Sequence, residues 1–128
     1  MDLNQLVNRV MELELIVKKM DYSALKTLAD ATATLDAGDL VDGGLFSITP
    51  TAARAITTPT AAIIQSAMVP KPVIGDSFKI YINVAAAFDV TLTAGANVSV
   101  YDGIINNEHA AYLFIMDSAT TFKVYRLF

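Results

Sequence analysis

The chain has 128 residues, 54% of them hydrophobic and 17% charged, with a formal charge of −4, one histidine and no cysteine. That length holds one compact domain with an appendage, and the hydrophobic content excludes disorder by composition. The acidic balance excludes the basic stripe a nucleic-acid partner requires, and the missing cysteines remove disulfides, thiolate metal sites and thiol nucleophiles.

The first element is a helix. Leu3, Leu6, Val10, Leu13, Val17 and Met20 recur at alternating steps of three and four. This is a heptad seam, with Leu3, Val10 and Val17 at a and Leu6, Leu13 and Met20 at d. Asp2 and Gln5 fit a capping box at its start. Arg9 at g and Glu14 at the following e would face each other with opposite charges across a parallel seam. An isolated helix of about 20 residues is marginal in water, so it needs the following domain or copies of itself. The seam predicts self-association, with residues 1–28 as an oligomerising coiled coil. Val at a with Leu at d leans towards a dimer. Val7, Leu15 and Ile16 widen the apolar face, and the expected assembly is a homotrimer, those three residues either broadening the bundle or meeting a partner.

From about residue 30 to 128 the texture predicts a β-domain. "LDAGDLVDGG" reads as a capped turn or one-turn helix, Asp36 capping, Asp39 its partner, Gly43 and Gly44 ending it. Asp36, Asp39 and Asp42 also invite a calcium reading, but the spacing is wrong for a helix–loop–helix calcium loop and no Glu closes it. "LFSIT" and "RAIT" flank a Pro-led turn in "PTAA". "TTPTAAIIQSAM" predicts a short helix with Thr58 as N-cap, Pro59 at the first position and Pro70 beyond the end.

"DSFKIYINV" alternates strictly, with Phe78, Ile80, Ile82 and Val84 on one face and Ser77, Lys79, Tyr81 and Asn83 on the other. The next run predicts Phe88, Val90, Leu92 and Ala94 inside, then a turn at "AGAN" with Gly95 at positive φ, then a strand from Val98. "AYLFIM" is apolar on both faces, which places it centrally or under a neighbouring subunit. "TFKVYRLF" follows the polar turn "DSAT". Closely spaced strands with one short helix predict a mainly β protein, a small antiparallel β-sandwich or barrel of jelly-roll type.

"TPTAARAITTPTAA" and "GDSFKIYINV", followed by "VTLTAGANVSV" and "TTFKVYRL", resemble the small β-domains of virion proteins of phages and other double-stranded DNA viruses. The resemblance covers roughly residues 30–128. It implies capsid decoration or fibre-like proteins, often trimeric, with no catalytic residues. The helix lies outside it, so the mode of attachment is not implied.

Catalytic equipment is sparse. His109 stands alone in a polar loop, and neither a nucleophile elbow nor a phosphate loop occurs. Tyr22, Tyr101 and Tyr112 are candidate sugar-stacking residues, without a Trp to form a platform. Asp102, Asn106, Asn107 and Glu108 form the most polar loop and are the first candidates for a receptor contact. No apolar run approaches the 20 or so residues of a membrane span, and the start lacks a signal-peptide pattern. The expected function is non-enzymatic: a trimeric decoration or cement protein, made in the host cytoplasm and carried on the capsid surface. Its partners are its own copies and the major capsid protein or another virion protein; no cofactor, metal, nucleic acid or membrane is expected. The alternative is a fibre or spike tip that binds a host receptor.

Overall fold

The computed structural model describes residues 2–8 and 25–128. Residues 3–8 are helical (α1). The capping box is formed: Gln5 N donates to Asp2 Oδ1 at 2.8 Å and Asp2 N to Gln5 Oε1 at 3.3 Å. Leu3, Leu6 and Val7 are exposed. Val10, Leu13, Val17, Met20, Arg9, Glu14, Leu15 and Ile16 lie outside the described residues, and with them most of the coiled-coil reading.

The body is mainly β. Its strands are β1 (Leu25–Thr27), β2 (Ala33–Thr34), β3 (Leu45–Ile48), β4 (Arg54–Thr57), β5 (Ser77–Val84), β6 (Asp89–Thr93), β7 (Val98–Tyr101), β8 (Ile104–Asn106), β9 (His109–Met116) and β10 (Phe122–Arg126). Two further helices are α2 (Ala37–Val41) and α3 (Ala61–Ala67). One sheet runs β1-β3-β5-β9-β10-β7, the other β2-β4-β6-β8. Because β1 starts at Leu25 and Leu28 packs on the core, the β-fold begins inside the 1–28 stretch read as helix.

The expected antiparallel, jelly-roll arrangement is not what forms. β1, β3 and β5 pair in parallel, as do β2, β4 and β6 and the β10–β7 pair. β9 is antiparallel to β5 and β10, and β8 to β6. The connectivity explains this. From β1 to β6 each strand is followed by one in the opposite sheet, so the chain returns to the first sheet in its original direction. α2 and α3 are carried on the return legs. "PTAA" therefore links two sheets rather than closing a hairpin.

The two sheets share one core. Phe46, Ile80, Ile82, Phe114, Phe122 and Val124 from the six-stranded sheet meet Ile56, Val90, Leu92 and Ile105 from the other. Each fully buried side chain of this size contributes about 1.5–3 kcal/mol of transfer free energy. Phe78 stacks on Phe114 with centroids 4.8 Å apart and closes one margin of that core. The alternation read in β5 holds, with Ile80, Ile82 and Val84 buried and Lys79 and Tyr81 outside. β9 is central, between β5 and β10.

Smaller differences have local causes. More than one short helix forms, because Asp36 caps α2 by accepting from Asp39 N. Thr60, not Thr58, caps α3, accepting from Ile63 N. Thr58 is buried, donating to the Pro59 carbonyl and accepting from Gly95 N at 2.9 Å. Positive φ falls on Asn97 instead of Gly95. Gly95 is needed for space, since a Cβ there would meet the Thr58 and Pro59 carbonyls at 2.5 and 2.7 Å. Phe88 and Ala94 lie outside, where β6 has run out of partners to cover them.

Candidate functional site

The outer face of the six-stranded sheet gathers several exposed or half-buried apolar and aromatic side chains. Register builds it row by row. Leu25, Leu45, Tyr81 and Ala111 are consecutive neighbours across β1, β3, β5 and β9. The next row runs Lys79, Leu113, Tyr125 and Tyr101 across β5, β9, β10 and β7. Tyr101 and Tyr125 stack with centroids 5.2 Å apart and an interplanar angle of 11°. Beyond these two rows lie Ser77, Ile115, Lys123 and Ser99 on one side, and Thr27, Ser47, Asn83 and His109 on the other.

Alternation explains the composition: inward residues of β5, β9 and β10 are spent on the core, and their outward partners would ordinarily be polar. Here Leu25 is 53% exposed, Tyr101 48%, Tyr81 42% and Tyr125 41%, while Leu45, Leu113 and Ile115 are half-buried. Lys123 pairs with Asp117 at 3.5 Å. Thr121 and, less strongly, that lysine hold the Asp117 carboxyl below its usual range. The Lys79 stem lies beside Leu113, where such a side chain can cover apolar surface with its ammonium in water.

The polar loop between β7 and β9 is internally tied. Asp102 and Asn107 have φ of 58° and 48°. Arg126 Nη2 donates to Glu108 Oε1 and its Nη1 to the Ile104 carbonyl, each at 2.7 Å, and Nη1 lies 3.7 Å from Asp102. The guanidinium hydrogen bond keeps the Glu108 carboxyl below its ordinary value. Asn106 donates to Asp89 at 2.9 Å. Of the four residues read as a receptor contact, three therefore have intramolecular partners that shape the loop.

Tyr112 is buried, its hydroxyl donating to the Asp102 carbonyl at 2.8 Å. Tyr101 is on the open face, and Tyr22 lies outside the described residues. His109 is exposed at the start of β9. Asp36 is engaged in capping α2, and Asp39 pairs with Lys26 at 3.7 Å. Among the described residues no three His, Asp or Glu side chains converge as metal ligands would. No described helix is long and apolar enough to cross a membrane.

A second feature was invisible to sequence periodicity. The segment between α3 and β5 leaves Val69, Val73 and Ile74 exposed. Beside it an open groove of about 910 Å³ is lined by Ala62, Gln65, Lys71, Val73 and Met116 among others. The outer sheet face did leave signals: Tyr81 on the polar side of a strict alternation, and "AYLFIM" apolar on both sides. Arg126 left none, since its partners are 18 and 22 residues away in sequence.

Protein families, curated proteins and solved structures give no match to this chain.

Proposed function

We propose that the chain is a non-enzymatic virion structural protein: a trimeric capsid decoration, or cement, protein that binds and stabilises an assembled shell. One observation carries this reading. Residues 3–8 form a helix that caps its own start and leaves Leu3, Leu6 and Val7 exposed, and the heptad pattern they begin continues in the sequence to Met20. Such a helix is poorly stable alone and gains its stability from copies. The motif order from "TPTAARAITTPTAA" to "TTFKVYRL" supports the virion setting by resemblance. Binding only the assembled shell would stabilise it by mass action. Leu3, Leu6, Val10, Leu13, Val17 and Met20 would carry trimerisation, with Arg9 and Glu14 flanking the seam.

The test measures solution mass by light scattering, then co-sedimentation with purified shells. Three copies of the 13.7 kDa chain, and shells that withstand higher temperature once decorated, support the reading. A monomer with no affinity for shells rejects it. A fibre or spike tip is the second reading, favoured by a loop that Arg126 holds in one shape at the end of the head. Binding to cells and not to shells would select it.

A further inference from the structure

We infer that the outer face of the six-stranded sheet is an interface between copies of this chain, with Tyr81, Tyr101 and Tyr125 as its aromatic anchors. The inference rests on the oligomeric reading above and adds the surface through which the heads meet.

The first argument is area. Three tyrosines with 41–48% of their surface exposed, two leucines near half exposure (Leu25 and Leu127), and half-buried Leu45, Leu113 and Ile115 share the face or its margin. Together they offer on the order of 500 Å² of apolar and aromatic side chain, given about 150–250 Å² for a whole aromatic residue. The flanking polar rows bring the face close to the ~800 Å² per partner of a standard interface. Composition agrees: aromatic residues are enriched at interface centres, and tyrosines lose little rotamer entropy there.

The second argument is where the helical segment joins. Residues 9–24 connect α1 to Leu25, which is the first residue of β1 and the end of the row Leu25, Leu45, Tyr81, Ala111. Copies held together through the helix are thus tethered at the edge of this face. A short tether raises the effective concentration of one head near another to the millimolar range, so even a weak sheet contact persists. A capsid protein has no such tether to this edge, which is why the occupant is a second copy.

The face also suits close approach. Its strand positions carry Lys79 and Lys123 and no carboxylate, and Lys123 is already paired with Asp117. The two central rows carry one charge, Lys79, whose flexible stem can carry its ammonium to the rim, and they can be covered without stranding a buried acid.

Tyrosine nitration of the full chain, read by peptide mass spectrometry beside the solution mass, tests this. Tyr112, fully buried, is the internal control that stays unmodified in every folded sample. The expected result is an oligomer in which Tyr81, Tyr101 and Tyr125 resist nitration. They become reactive in a variant carrying Val10→Asp and Val17→Asp, which dissociates. Tyr81→Glu with Tyr125→Glu, at sites already open to solvent, should weaken association while circular dichroism stays native. An oligomer whose three tyrosines nitrate as fast as in the dissociated variant overturns the inference and leaves the helix seam standing. A seam variant that keeps both mass and protection does the reverse. A wild-type monomer overturns both. Tyrosines reactive in the free protein but protected on shells assign the face to a capsid partner, and the self-interface is then wrong.

Discussion

Arg126 and Glu108 close the turn between β8 and β9: guanidinium Nη2 sits 2.7 Å from carboxylate Oε1. The same guanidinium reaches the Ile104 carbonyl at 2.7 Å and the Phe128 carbonyl at 3.1 Å. One side chain from the inner side of β10 thus ties β8, the loop and the last residue of the chain together. Its side chain is 14% exposed against 49% for Glu108.

That asymmetry ranks two substitutions. Arg126→Ala removes every one of these contacts and should cost about 1–2 kcal/mol, most of it from the two carbonyl bonds and the lost packing of a side chain only 14% exposed rather than from the solvent-screened ion pair. Glu108→Gln keeps an acceptor for the guanidinium and should cost clearly less. Urea denaturation ranks them. Equal losses would mean that the ion pair, not the carbonyl bonds, holds the loop.

Asp30, between β1 and β2, ties that connection to the one between β3 and β4. Its carboxylate accepts from Arg54 Nε at 2.8 Å, from Thr51 Oγ1 at 2.6 Å and from Thr51 N at 3.1 Å. The Arg54 hydrogen bond, followed by those from Thr51, lowers its pKa from 3.8 to about 2. Because the folded value is the lower one, the unfolded chain takes up this proton first as pH falls. The contribution is fully present above pH 3.8 and is lost between 3.8 and about 2. The difference in stability between wild type and Asp30→Asn should therefore be constant near neutrality and shrink through that window. A difference that stays flat down to pH 2 would show that the carboxylate charge contributes nothing.

Much of this architecture was legible locally, and little of it globally. Ile80, Ile82 and Val84 announced their buried face because a half-buried strand has a period of two whichever way its neighbours run. That same indifference hid the parallel ladders: strand direction depends on the connection crossing to the other sheet, and no residue type encodes it. Thr58 and Thr60 offer the same hydroxyl two positions apart, and only the burial of Thr58 against Gly95 decides which one caps α3. The outer sheet face was half legible. "AYLFIM" read as apolar on both faces and Tyr81 lay on the polar side of its strand, but the alignment of Tyr81 and Leu113 with Tyr125 and Tyr101 is a property of register.

Gly95 separates space from conformation. Its backbone lies where a Cβ would meet two carbonyls of the Thr58–Pro59 segment, whereas Gly75 has φ of 98° with nothing within 4 Å of a Cβ. Gly95→Ala should cost about 1–3 kcal/mol, since rigid backbone has to shift. Gly75→Ala should cost about 1 kcal/mol, through left-handed backbone strain alone. Thermal denaturation distinguishes them further. Only Gly95→Ala displaces the loop that carries the α3 cap, so only it should speed hydrogen exchange at Ile63 and Ile64. Exchange at those amides unchanged in Gly95→Ala would disprove the close approach.

Tyr112 holds its proton longer in the folded chain than in the unfolded one. Burial, partly offset by the Arg126 charge and reinforced by Asp102 and Glu108, pushes its hydroxyl from 10.0 up to about 12. As pH rises past 10 the unfolded chain gives up this proton while the folded chain keeps it, so stability falls with pH up to about 12. A single proton difference corresponds to a slope of about 1.4 kcal/mol per pH unit. Tyr112→Phe should lose about 1 kcal/mol at neutral pH, because the Asp102 carbonyl loses its donor. It should also show an alkaline limb shallower than wild type by that one-proton slope. Parallel limbs for the two proteins would assign the alkaline loss to other groups and remove Tyr112 from it.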